Sequence, residues 1–289
     1  MIKIKVPATS ANLGVGFDTL GIALNIYNTF YIEESASLFI EGVDKEYQNR
    51  NNLFMRAFDK VNEELNSFKN INLKIESNIP IARGLGSSAS LIVAGATAAN
   101  YLNGNKLTVE EIFQICTAVE GHPDNVAPAL FGGLTSSFRR ADIFYMKKIA
   151  VHEKYKFTLL IPDFEISTVQ ARAVLPAAYS KEDAISNLSN IISLCLSLND
   201  GDDKTLKLSN NDRIHEPYRK ALIPDFELLK KECLNKGAYT FMISGSGPTC
   251  LVISDDERFS EKIQISKTEN NWKLLDCKIH NKAVEVEEL

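Results

Sequence analysis

Polar and apolar residues alternate strictly through Met1-Ile-Lys-Ile-Lys-Val6 and again through residues 71–76, the period-two pattern of half-buried strands. The same reading places strands at 2–6, 27–33, 71–76, 134–138, 157–161, 239–243 and 250–253. A helical period runs through 53–68, with Leu53, Ala57, Val61, Leu65 and Phe68 on one face. Residues 87–102 read as a helix rich in alanine, stopped by Asn103-Gly104 and suited to close packing. Thr108 and Glu111 form a capping-box signature for a helix to about Glu120, and Ser180 with Asp183 does the same for 185–198. A further helix spans 226–235, closed by Gly237. Residues 139–156 hold few apolar anchors beyond Ile143-Phe144 and Ile149-Ala-Val, so the crossing between two units is expected there. Strands and helices mix without strict βαβ alternation, and no repeat is visible. The expectation is an α+β chain in two lobes, 1–155 and 156–289.

Composition narrows the function. At 289 residues the chain exceeds a usual single domain, and 45% hydrophobic with 24% charged residues is ordinary for a folded soluble protein. The net charge of −5 and the lack of a basic block disfavour nucleic-acid or anionic-membrane binding. The N-terminus reads as a strand and not as a signal peptide, and no apolar run reaches membrane-spanning length. The five cysteines are widely spaced, with no Cys-x-x-Cys, which argues against disulfides or structural zinc and for a cytoplasmic protein. The four histidines show no ligand-pair spacing, so a dedicated metal cage is not expected.

Chemistry concentrates first at Pro80-Ile-Ala-Arg83-Gly84-Leu-Gly86-Ser87-Ser88-Ala89-Ser90, which runs directly into an apolar helix. Two glycines allow close backbone approach, and a helix start offers unpaired N–H groups and partial positive charge to a phosphate. The stretch is not a Walker A loop, because no Gly-Lys-Ser/Thr occurs. Gly84-x-Gly86-x-x-Ala89 fits a dinucleotide fingerprint in letters, but no strand runs straight into Gly84. The bland alternative is a glycine turn with a serine cap.

Other stretches carry more polar groups than packing requires. Pro7-Ala-Thr-Ser-Ala-Asn12-Leu-Gly14-Val-Gly16-Phe-Asp18 places a carboxamide and a carboxylate near a strand end. Plain turn chemistry would also explain it. Glu120-Gly-His122-Pro-Asp124-Asn125 separates two apolar helices, and reads either as a ligand-facing turn or as a helix end with an Asp cap. Thr168-x-x-x-Arg172 and His215-Glu-Pro-Tyr218-Arg219 each set an arginine by a proline-marked turn. Arginine suits a two-point grip on carboxylate or phosphate, although a solvated surface arginine is commoner. Ser244-Gly-Ser-Gly-Pro-Thr249 reads as a hairpin turn, or as backbone packed on the first glycine loop.

Taken in order, residues 7–18, 80–89 and 245–249 resemble the three motifs of the GHMP small-molecule kinase family. His122–Pro128, Ala171–Pro176 and Glu216–Arg219 are similar to its homoserine-phosphorylating branch. The resemblance implies a two-lobed fold, with an N-terminal lobe of the ribosomal S5 domain 2 type and a ferredoxin-like C-terminal lobe. It implies transfer of the ATP γ-phosphoryl group to the side-chain hydroxyl of L-homoserine, on the route to threonine, by a cytoplasmic homodimer. It implies that Pro80, Ile81, Ala82, Arg83, Gly84, Leu85, Gly86, Ser87, Ser88, Ala89 and Ser90 cradle the nucleotide, and that Ser87 and Glu120 hold Mg²⁺. His122 and Thr168 would line the substrate pocket. Homoserine is a small zwitterion with one hydroxyl. Asp18 suits its ammonium, Arg172 and Arg219 its carboxylate, and Asn12 or Asn125 its hydroxyl. Asn12, Asn125 and Arg172 are thus the expected catalytic residues. No strong general base is evident, and Asp124 is a weak candidate. Only Gly121 separates Glu120 from His122, where many members of the family have several residues, so the metal assignment depends on where that gap falls. A sister kinase for another alcohol would not need Asp18 with both arginines. A non-catalytic sensor would not need Ser87 and Glu120.

Overall fold

The computed structural model describes the whole chain, Met1–Leu289. Its first half is built from β1 (Ile2–Ala11), β2 (Leu20–Ser35), β3 (Phe39–Glu41), α1 (Leu53–Glu64), β4 (Asn70–Glu76), α2 (Ser87–Leu102), α3 (Val109–Glu120), α4 (Pro123–Phe131), β5 (Leu134–Arg140) and β6 (Ile143–Ile149). Then come β7 (Lys156–Pro162), α5 (Thr168–Ala173), α6 (Lys181–Asp200), α7 (Asp203–Ser209), α8 (Glu216–Arg219), α9 (Phe226–Asn235), β8 (Thr240–Ile243), β9 (Cys250–Ser254), β10 (Trp272–Cys277) and β11 (Val286–Glu288).

Seven strands form the first sheet, with the path β11-β1-β2-β4-β3 and the β5–β6 hairpin attached to β2. The alternation at the N-terminus continues as far as Ala11, because β1 pairs antiparallel with β2 along its whole length. The register shifts between Pro7 and Ala8. A bulge of this kind turns side chains to the other face. Ile2, Ile4 and Val6 therefore join the core under α1–α4, whereas Ala8 joins a second core shared with the other sheet.

The second sheet has the order β10-β7-β9-β8, antiparallel throughout. Both of its faces are covered. Leu159, Met242 and Leu251 point to the core between the sheets, and Leu160, Phe241 and Val252 to a third core with α9 and Trp272. Burial on both sides accounts for the nearly unbroken apolar runs in these strands.

Three expectations need correction. The first helix ends at Glu64, not at residue 68: Asn66 adopts a left-handed φ of 50°, and Phe68 is exposed under the Arg50 guanidinium. Within the expected crossing, 143–149 is strand β6, paired with β5 from Leu134↔Ile149 to Arg140↔Ile143. Its side chains are largely exposed, so the apolar signal was weak. The second unit, expected to run to 289, does not close on itself, since β11 returns to the first sheet and pairs with Ile2–Ile4 of β1.

Candidate active site

The glycine loop and α2 meet the expectation most fully. α2 starts at Ser87 behind Gly86, which adopts a left-handed φ of 67°. The N–H groups of Ser87, Ser88 and Ala89 have no acceptor within the protein, as at any helix start. Side chains are forbidden at both glycines. A Cβ on Gly84 would lie 2.2 Å from the Ser244 carbonyl oxygen, and one on Gly86 would lie 1.9 Å from Thr9 Oγ1. The 244–249 turn is the hairpin between β8 and β9, and it also packs on the loop. Ser244 Oγ donates to the Gly84 carbonyl at 2.7 Å, and Thr9 N–H to the Leu85 carbonyl at 3.1 Å.

Not every side chain of the loop is open to a ligand. Ser90 is fully buried, accepts from Asn28 Nδ2 at 2.8 Å and donates to the Ser87 carbonyl at 2.8 Å. Leu85 and Ala89 belong to the cores. Arg83 donates to the carbonyls of Pro162 at 3.0 Å and Asp163 at 2.9 Å, so it clamps the loop to the second lobe. These residues shape the cradle through backbone and packing.

Glu120, expected to hold Mg²⁺ with Ser87, is hydrogen-bonded to the next serine. Ser88, one position on, donates its hydroxyl to Glu120 Oε1 at 2.5 Å. One residue along a helix rotates a side chain by about 100°, and Ser87 makes no hydrogen bond to Glu120. Burial pushes the Glu120 carboxyl up, against the Ser88 hydrogen bond and the charge of His122. His122 Nδ1 meets Asp124 Oδ1 at 2.6 Å. Burial would lower the His122 pKa, but the hydrogen bond and charge of Asp124, with Glu120, outweigh it and raise it. Asp124 is thus engaged by His122. Asn125 Oδ1 accepts from Thr9 Oγ1 at 2.7 Å, which leaves its amide N–H groups for a ligand.

The 12–18 loop leaves β1 through left-handed conformations at Asn12, Leu13 and Gly14, with another at Asp18. Asn12 is buried and engaged at both ends of its amide: its Nδ2 donates to the Gly245 carbonyl at 2.7 Å, and its Oδ1 accepts from Asp18 N–H at 3.0 Å. Asn12 therefore fixes the loop against the 244–249 turn.

Asp18 and Arg172, assigned from sequence to opposite ends of a zwitterion, hold each other in a two-point ion pair at 2.8 and 3.1 Å. Both are about two-fifths exposed, at the solvent edge of the site. Arg219 lies beneath. It is 2% exposed, donates Nε to the Ala171 carbonyl and Nη1 to the Gly245 carbonyl, each at 3.0 Å, and makes no ion pair. Burial, then the charge of Arg172, pulls its pKa down. A buried cation of this kind favours an anionic ligand. Phe17 binds the group together: its ring lies 5.7 Å from Arg172 Cζ and 5.1 Å from Arg219 Cζ, and stacks on His215 at 5.3 Å. Thr168 opens α5 one turn before Arg172, exposed at the same edge.

Several supporting residues escaped sequence reading. Asp212 Oδ2 accepts from the N–H groups of His215 at 2.8 Å and Glu216 at 2.7 Å, and His215 Nε2 meets the Gly14 carbonyl at 2.7 Å. Asn187 of α6 donates to both the Val15 carbonyl and Asp212. An Asp three residues before His215 was the only available signal, that of a helix cap.

The whole chain matches known proteins along its length. Residues 52–133 match the GHMP kinases N terminal domain, and 196–265 the GHMP kinases C terminal domain. A homoserine kinase of Clostridium botulinum (strain Kyoto / Type A2) is 41% identical over 288 residues, covering 96% of each chain. One from Clostridium acetobutylicum is 38% identical over 292 residues, 97% of this chain and 98% of the relative. The crystal structure of homoserine kinase from Cytophaga hutchinsonii superposes with a TM-score of 0.89 at 29% identity, covering 99% of this chain and 97% of the other. With motifs, fold and full-length similarity in agreement, the chain belongs to the homoserine kinases of the GHMP kinase family.

Proposed function

We propose that the chain transfers the γ-phosphoryl group of ATP to the side-chain hydroxyl of L-homoserine, giving O-phospho-L-homoserine on the route to threonine. The observation that carries the substrate is the charge set at one loop edge. Asp18, Arg172 and the unpaired, buried Arg219 gather around Phe17, next to the helix start that suits phosphate. A free amino acid needs one anion and one or two cations within a few ångströms, and a plain alcohol does not. The Asp18–Arg172 pair opens to admit the zwitterion, so that each partner exchanges the other for one end of the substrate. Arg219 adds a second contact to the carboxylate.

The N–H groups of Ser87, Ser88 and Ala89 and the backbone of 84–86 receive the phosphates. Asn125 orients the acceptor hydroxyl with its free amide N–H groups, and Asn12 acts as a positioning residue for Asp18. His122 and Thr168 border the substrate. Phosphoryl transfer relies on alignment and charge neutralisation, so Asp124, already engaged by His122, has no necessary role as base.

The residues present fit Mg²⁺. The half-buried Glu120 carboxylate meets a hydroxyl and no cationic side chain from Lys or Arg, and hard oxygen donors suit this ion. No group of three or more His, Cys, Asp or Glu side chains is placed to hold a metal, so Ser88 and Glu120 would share it with the nucleotide phosphates. Bound there, the ion would neutralise phosphate charge. No helix is long and apolar enough to cross a membrane, and all five cysteines are free thiols, which supports a reducing cytoplasm.

The decisive experiment is ADP release from Mg-ATP with L-homoserine, mevalonate or L-threonine offered separately. Turnover with homoserine and recovery of its phosphoester is expected. Turnover with mevalonate alone would reassign the substrate, and ATP binding without turnover on any alcohol would leave a sensor.

A further inference from the structure

His215 stands immediately before α8, four positions from Arg219, so the two side chains share one face of that short helix. The imidazole is fully buried. Each of its nitrogens meets a group whose role is fixed. Nε2 lies 2.7 Å from the Gly14 carbonyl, which can only accept, so Nε2 carries the proton. Nδ1 lies 3.4 Å from Arg219 Nη1, which can only donate, so Nδ1 presents a lone pair. These partners assign one form, the neutral imidazole protonated at Nε2. Burial lowers the His215 pKa and the charge of Arg219 adds to it, against the opposing charges of Asp212 and Asp18.

A proton-transfer role does not fit this geometry. Asp212 Oδ2 is 3.8 Å from Nε2 and is engaged by the backbone N–H groups of His215 and Glu216, while Oδ1 accepts from Asn187. No Asp–His dyad forms, and neither ring nitrogen is left for a ligand. The consequence falls on Arg219 instead. A guanidinium carries five N–H groups. Nε donates to the Ala171 carbonyl, Nη1 to the Gly245 carbonyl and to His215, and Nη2 has no acceptor in the chain. His215 thus takes the last proton of Nη1, and the Nη2 edge is what remains for an anion. At the other end of the imidazole, Gly14 belongs to the loop that carries Asp18, and Phe17 of that loop stacks on the ring with the planes 24° apart. One uncharged side chain ties the buried cation to the loop that holds the anion.

We propose that His215 is a positioning residue for the substrate, whose neutral imidazole aims Arg219 at the substrate carboxylate and sets the spacing between Arg219 and Asp18. The proposal rests on the homoserine reading given above. It assigns His215 to substrate binding and not to the chemical step, because the imidazole touches the two loops of the grip and not the phosphate cradle.

The test is steady-state kinetics of the full chain with homoserine and ATP varied in turn, and thermal unfolding to confirm folding. His215→Phe keeps a ring against Phe17 and removes both polar contacts. It is expected to raise the homoserine KM at least about tenfold, with kcat within about threefold and the ATP KM unchanged. His215→Asn places an amide oxygen where Nδ1 stood and should recover most of that KM. His215→Gln reaches Gly14 in place of Nε2, offers Arg219 no acceptor, and should recover less. A merely structural role would not produce this order. An unchanged homoserine KM in His215→Phe overturns the proposal, and so do equal rises for both substrates with no recovery in His215→Asn. Should His215→Phe fail to fold, the other two variants decide, and a KM for His215→Asn no lower than for His215→Gln overturns it. A wild type inactive on homoserine would remove the function itself and the proposal with it, whereas these outcomes with an active wild type remove the proposal alone.

Discussion

Two serines stand side by side at the start of α2, and only the Ser88 hydroxyl is hydrogen-bonded to Glu120. Ser88→Ala is expected to reduce Mg²⁺-dependent turnover on the order of 10²-fold, with Ser87→Ala much milder. Mg²⁺ titrations of kcat separate the two, and equal losses would remove the distinction. Arg172→Ala should raise the homoserine KM roughly 10- to 100-fold while the ATP KM stays put, because a two-point carboxylate contact is lost. Steady-state kinetics with each substrate varied checks it. Residue types were legible in the sequence, since an amino acid and a phosphate demand known partners. Orientation was not. Nothing in Gly86-Ser87-Ser88 tells which hydroxyl meets Glu120, and nothing in the Asn12 motif shows that its amide ties Gly245 to Asp18. Both depend on how distant segments dock.

The glycine loop, α2 and the 244–249 hairpin act as one element, and their boundaries were legible because caps and glycines are local signals. α2 spans the expected 87–102, and α3 opens on the complete Thr108–Glu111 capping box. The reason for Gly84 was not local. Its missing side chain makes room for the Ser244 carbonyl, 160 positions along the chain. Gly84→Ala combines that clash with a left-handed φ of 71°. It should lower unfolding stability by about 2–3 kcal/mol, read from denaturant midpoints, and impair nucleotide binding. Stability and binding unchanged from wild type would show that the loop tolerates a shift. Weak elements escaped for the opposite reason: β6 has its edge, not its core, to offer, and an exposed strand carries little apolar pattern.

At the scale of the whole molecule, burial of an acid within the second lobe makes stability depend on pH. Glu216 is buried and accepts from Ile243 N–H at 2.6 Å, and burial pushes its carboxyl up from 4.5 to about 7. Between those values the folded chain keeps a proton that the unfolded chain has released. Its contribution is therefore full below about pH 4.5 and lost as pH rises to about 7, on the order of 3 kcal/mol in all. Glu216→Gln should flatten this part of the decline in urea midpoints measured from pH 5 to pH 8. A variant with the wild-type slope would assign the decline to other groups. The two-lobed α+β division was legible in the mixed order of helices and strands, but the closing of the first sheet by β11 was not, because a three-residue strand has no signal of its own. That pairing has a consequence for how the molecule is made. β1 leaves the ribosome well before β11, yet its free edge is covered by β11 and its loop is pinned by Asn187, His215 and Gly245. The edge of β1 must therefore wait for β11. A growing chain carries that strand edge open until β11 emerges, and the loop after β1 stays unpinned until residues 187–245 have been made.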